Sequence, residues 1–199
     1  MTLWAGAWTW AEFITITPEK NITRWERQGT VDDRAAYEKA WDRLQTARRL
    51  NPANADYELA LGRLALLGRK SSEVGPESSQ NAGGARRSQA PATNEISSPA
   101  RLHLRHALAK RPSSGLAWTY LAKAVADDPA ESELFIKALT RSATLEPYEE
   151  LNQQQLIPLA LKHWNRLPPP LQETMQKIIE HAKRYQPKAF KKGFEAVKS

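Results

Sequence analysis

Residues 40–62, AWDRLQTARRLNPANADYELALG, carry a spacing that recurs along this chain of 199 residues. Ala40, Leu44, Ala47 and Pro52 stand four, three and five positions apart, and Ala100, Leu104, Ala107 and Pro112 repeat both the residue types and the intervals. Met175, Ile179 and Ala182 precede Pro187 by the same offsets. Positions four and seven apart share a helical face, and proline cannot continue a helix, so each copy predicts an amphipathic helix that ends in a turn. After Pro52, Tyr57, Leu61, Leu64 and Ala65 fall on one face of a second helix that runs to about Leu67. The two form an αα-hairpin.

Upstream, Val31, Asp32 and Asp33 offer an N-cap to the helix that reaches Leu50, with Tyr37, Ala40, Trp41, Leu44, Ala47 and Leu50 as its apolar stripe. Residues 21–30 read as a connector. Residues 1–18 form a hydrophobic N-terminal segment interrupted by Glu12 and containing Trp4, Trp8 and Trp10. It is too short and interrupted for a complete membrane span and lacks the basic start of a secretory signal. Two readings stay open: a membrane-interface belt or the end of a span, and a first helix whose tryptophans pack on the repeats.

Downstream, residues 68–99 are rich in Ser, Gly, Pro, Asn and Gln, a composition that cannot bury enough apolar surface to order itself, so a disordered insertion is expected. Pro52 and Pro112 are 60 positions apart while Pro112 and Pro147 are 35 apart, which fits one unit length with an insertion of about 26 residues in the first copy. Helices follow at 100–110, from Ser113 or Ser114 through Val125, from Asp127 to about Leu145, from Glu149 to about Trp164, and from Leu171 to about Tyr185. Pro158 should kink the fourth of these or shift its start.

These offsets resemble the tetratricopeptide pattern, in which the second helix of a 34-residue unit carries a small, a large and a small apolar residue before a proline. The next first helix of that pattern carries a Leu-Gly pair, and Leu61-Gly62 stands there; Trp118 falls at the signature tryptophan position. Phe135 and Ser142 depart from the small residues expected before Pro147, and Gln153 stands where a tryptophan would be. The resemblance implies an all-α, TPR-like α-solenoid of about three degenerate helix pairs over residues 31–187, with residues 188–199 as a basic tail or C-terminal capping helix. It implies further that ligands lie along the first helices, which places Asp56, Leu59, Arg63, Leu116, Thr119 and Lys123 in a partner-binding groove. Arg63 and Lys123 occupy matching positions and would suit an acidic protein or peptide partner. A narrower similarity, in the N-terminal segment, Thr23 to Gly29, LNPANADY and HWNRLPP, is to bacterial tetratricopeptide-like proteins of exopolysaccharide or O-antigen assembly. That similarity implies inner-membrane association with the helical domain in the periplasm; without it, a cytoplasmic setting is expected.

No motif points to catalysis, and no cofactor or metal is expected. There are no cysteines, so disulfides and thiolate metal sites are excluded. His103 and His106 have metal-ligand spacing on a helix, but their helical neighbours are Arg101, Arg105 and Lys110, so both read as solvent-face residues. The paired acids Asp32-Asp33, Asp127-Asp128 and Glu149-Glu150 sit at helix starts, where the dipole favours them.

The net charge of +7 is concentrated at one end, because residues 181–199 hold Lys183, Arg184, Lys188, Lys191, Lys192 and Lys198 against Glu195 alone. In that tail Phe190, Phe194 and Val197 share a helical face, which suits a cap on the last repeat or contact with anionic lipid or an acidic partner. The functional expectation is a non-catalytic interaction scaffold serving membrane-associated polysaccharide assembly. The alternative is a nucleic-acid-binding helical repeat that uses the basic tail. Membrane contact would go through the Trp-rich segment, and nucleic acid is the less expected partner.

Overall fold

A computed structural model describes residues 3–73 and 98–187, with side chains at 12, 14–69 and 98–187. The described residues fold into eight α-helices and two 3₁₀ turns, without a strand. The helices are α1 (Leu3–Gln28), α2 (Arg34–Leu50), α3 (Ala55–Glu73), α4 (Pro99–Lys110), α5 (Gly115–Val125), α6 (Ser132–Leu145), α7 (Glu150–Lys162) and α8 (Pro169–Tyr185).

Local chemistry sets their ends. Asp33, Ser98 and Ser114 cap α2, α4 and α5 by accepting the backbone N–H three residues on, and Glu149 does the same for α7 at 2.6 Å. Proline occupies the first turn of α4 and α8, where its missing N–H costs nothing. Helix α7 continues through Pro158.

Two boundaries differ from the sequence expectation. Residues 21–28 are helical, so the N-terminal segment and the expected connector belong to one element that stops at Gly29, whose φ of +78° lies in the left-handed region. The reason is tertiary: Ile22 and Trp25 have no exposed surface in the core shared with α2 and α3, and the Trp25 indole donates to Asp32 at 2.6 Å. Likewise residues 68–73 continue α3, with Gly68 seated close against the Tyr37 hydroxyl. Residues 74–97, most of the expected insertion, lie outside the described residues, as do 188–199.

Each helix packs on the next, and each odd-numbered helix packs also on the next odd one: α1 on α3, α3 on α5, α5 on α7. This arrangement of neighbouring pairs is compatible with a helical repeat. The recurrent positions are its core: Ala40, Leu44, Ala47, Ala100, Leu104, Ala107, Met175, Ile179 and Ala182 are all buried, as are Phe135, Leu139 and Ser142 at the corresponding places in α6. No helix among the described residues is long and apolar enough to cross a membrane. In α1 the apolar residues are interrupted by Glu12, Glu19 and Glu26, and Glu12 and Glu26 bond to the helices that follow.

Gly62 shows why the spacing is constrained. A Cβ at this position would lie 2.6 Å from Leu104 Cγ, so α3 and α4 meet as closely as they do only because Gly62 has no side chain. Gly62→Ala should therefore destabilise the protein, since overpacking costs about 1–3 kcal/mol against a helix-propensity gain of about 1 kcal/mol. In a Leu104→Ala background the obstruction is gone and the same substitution should stabilise. Urea unfolding of the four proteins checks this reversal of sign; equal effects in both backgrounds would refute it.

Candidate partner-binding groove

The side formed by the odd-numbered helices brings together residues far apart in sequence. On α1, Glu12, Glu19 and Glu26 recur every seven positions, two turns of helix, and so share a face. Glu12 accepts from the Tyr57 hydroxyl at 2.8 Å and from Asn54 Nδ2 at 3.2 Å, both at the start of α3. Burial and the Glu12 hydrogen bond together push the Tyr57 hydroxyl pKa up to about 12. Further along both helices, Arg63 of α3 grips Glu26 with both arms of its fork, Nη2 to Oε2 at 2.6 Å and Nε to Oε1 at 3.1 Å. Tyr120 of α5 donates its hydroxyl to the same carboxylate at 2.7 Å.

Arg63 and Lys123 do converge, and the place where they meet is an aromatic ring. The Arg63 guanidinium stands 5.3 Å and the Lys123 ammonium 5.6 Å from the Tyr120 ring centroid. Their roles differ. Arg63 is 17% exposed and its charge is engaged by Glu26, whereas half-buried Lys123 donates to Gln155 Oε1 on α7 at 3.0 Å. Glu19, between the other two acids, has its pKa raised by burial, and the nearby Asp56 and Glu12 add to this against Arg63.

The remaining groove residues are dispersed. Asp56 is exposed and lies 3.6 Å from Arg111; Leu59 is buried in the core between α3 and α5; Leu116 is half-buried. Thr119 has no exposed surface, and so is not reachable by a partner. Its hydroxyl joins a buried polar node instead, donating to Asn152 Oδ1 at 2.7 Å and lying 2.6 Å from Ser142 Oγ. Asn152 in turn donates to Ser142 Oγ and to the Glu146 carbonyl. The departure from the repeat pattern at Ser142 thus belongs to a polar core between α5, α6 and α7, whereas Gln153 donates separately to the Pro147 carbonyl. In the tail, Lys183 and Arg184 are exposed on the last turn of α8, with Arg184 over the Tyr185 ring at 5.3 Å. Lys188, Lys191 and Lys192 lie outside the described residues.

His103 corrects the solvent-face expectation. Only 6% exposed, it places Nδ1 2.7 Å from Glu58 Oε2, while its ring meets Trp41 edge-on at 5.7 Å. Glu58 is on α3, so no helical offset along α4 could reveal it. Lys110 and Arg48 approach its other oxygen at 3.2 and 3.7 Å, and exposed His106 at 3.9 Å. Among the described residues, no group of three carboxylates or imidazoles is arranged to hold a metal ion. This one carboxylate joins α2, α3 and α4.

No protein-family model matches the chain, and no curated protein matches it either.

Burial alone would raise the Glu58 pKa, but hydrogen bonds from His103 and Lys110 and the Lys110 charge outweigh it and hold the group below 4.5. A carboxylate depressed in the folded state contributes stability that is complete above its unfolded pKa and is lost as pH falls through the folded value. The stability gap between wild type and Glu58→Gln should therefore be full above 4.5 and close as the pH is lowered further. Urea unfolding at a series of pH values measures it, and a gap that persists down to about pH 2 would contradict this assignment.

Proposed function

We propose that the chain is a tetratricopeptide-like array whose odd-helix side docks an acidic peptide segment of a protein partner, without catalysis. Its support is twofold. The small, large and small positions are all inward, with the Leu-Gly glycine of α3 seated against the large residue of α4, as that repeat would require. The single observation that carries the binding chemistry is the pair of cations around Tyr120, one of which already holds a carboxylate of the chain itself. The resident Glu26 carboxylate is the kind of group that an acidic partner would bring to this surface. Arg63 fastens α1 to the array through Glu26, and the proposed acid is recognised where Arg63 and Lys123 approach the Tyr120 ring.

None of these contacts bears on a lipid or polysaccharide setting, so the proposal is confined to peptide recognition. A fluorescent glutamate-rich decapeptide titrated into the full chain tests it. Binding should weaken about tenfold in Lys123→Met, roughly 1.4 kcal/mol, with the helical circular dichroism unchanged. Arg63→Met should lower stability as well, because it leaves Glu26 buried without its cation. Unaltered peptide binding in Lys123→Met would sink the proposal. Tighter binding of single-stranded DNA that falls steeply with salt would favour the nucleic-acid reading instead.

A further inference from the structure

One buried carboxylate of α3 is surrounded by more positive charge than it neutralises. Glu58, with its side chain 4% exposed, has His103 Nδ1 at 2.7 Å from one oxygen. Its other oxygen, Oε1, is approached by Lys110 Nζ at 3.2 Å, Arg48 Nη1 at 3.7 Å and His106 Nδ1 at 3.9 Å. Only His103 and Lys110 are hydrogen-bonded to it. Arg48 and His106 make no hydrogen bond among the described residues.

Three donors from two helices therefore converge on a single point. Arg48 stands in the last turn of α2, while His106 and Lys110 are four apart on α4 and share its face. The side chains of Arg48, His106 and Lys110 are 32%, 49% and 26% exposed, so solvent reaches the donors but not the carboxylate. Two permanent cations and a titratable imidazole around one charge, itself already shared with His103, leave the cluster net positive. Exposed Arg49 and Arg105 on the same two helices raise the potential further, and the nearby acid Asp56 faces Arg111 at 3.6 Å. A basic last turn suits the dipole of each helix, but the dipole explains neither the convergence from two helices nor His106.

We propose that Arg48, His106 and Lys110 form a binding site for a phosphate monoester. A carboxylate offers two oxygens in one plane and is satisfied by one guanidinium fork. A phosphate monoester carries close to two negative charges and three acceptor oxygens, and its tetrahedral shape suits donors that reach one point from separate helices. In the complex the Arg48 fork takes two of the oxygens, His106 donates to the third, and Lys110 is shared with Glu58. This site has no residue in common with the surface around Tyr120, and its ligand chemistry goes beyond the peptide recognition proposed there.

The test titrates phosphoserine and inorganic phosphate into the full chain at constant ionic strength and follows the histidine ring protons by NMR. Saturable shifts of the His106 resonances, identified by their loss in His106→Gln, are expected, with sodium chloride producing none. Arg48→Met should weaken phosphoserine binding about tenfold and Arg48→Lys less, because a point charge then replaces the fork. Glu58 keeps both of its hydrogen-bond donors in these variants, so the helical circular dichroism should not change. Lys123→Met, which weakens the glutamate-rich peptide, should leave phosphoserine binding intact, so that the two readings fail separately. A phosphoserine heptapeptide run beside free phosphoserine distinguishes the sources: tighter binding of the peptide assigns a phosphorylated partner, and equal binding a small phosphoester. Undiminished binding in Arg48→Met, or shifts that sodium chloride reproduces at equal ionic strength, would overturn the proposal.

Discussion

A carboxylate held by two helices at once organises the N-terminal half of this protein. Glu26 of α1 is gripped through both oxygens by Arg63 of α3 and receives the hydroxyl of Tyr120 from α5, so three helices far apart in sequence meet on one charge. Taking such a charge out of water costs several kcal/mol, and the interior tolerates it only where geometry and hydrogen bonding are nearly complete. Here the guanidinium fork supplies both. The consequence is positional: α1 is aligned with α3, and Glu12 meets Tyr57 and Asn54 well before Glu26 meets Arg63 along the same face. A slip of one turn would strand all of these groups.

Glu58 has the same role in the neighbouring layer. It sits among Arg48 of α2 and His103 and Lys110 of α4, and its charge joins three consecutive helices. Further along, the anchoring becomes neutral: Thr119, Ser142 and Asn152 exchange hydrogen bonds between α5, α6 and α7. Arg101 bridges the intervening connector through Asp128 and Glu131, both at 2.9 Å. Apolar packing of small and large residues fixes the distance between helices, while these polar nodes fix register. The two kinds of constraint are complementary, since burial is nearly indifferent to sliding and a buried charge is not.

The same polar nodes shape what the surface can bind. Arg63, closed on Glu26, belongs to the framework that joins α1 to α3, while Lys123 is held against the Tyr120 ring and Gln155. Under the proposed function, an acidic side chain is recognised where these two cations approach the Tyr120 ring.

The helices were legible in the sequence because their cause is local. Ala40, Leu44, Ala47 and Pro52, and their counterparts before Pro112 and Pro187, specify a face and a stop within a few turns, and the structure buries every one of those face positions. The glutamates at 12, 19 and 26 were legible too in principle, as a two-turn period, but dividing α1 into an apolar segment and a connector hid it. What the sequence could not disclose is which charges are spent. His103 looked solvent-facing because its partner, Glu58, is 45 positions away, and Arg63 looked available because Glu26 is 37 positions away. Helical spacing determines which side chains share a face, whereas only the packing of one helix on another decides which of those faces meets a charge, a core or water.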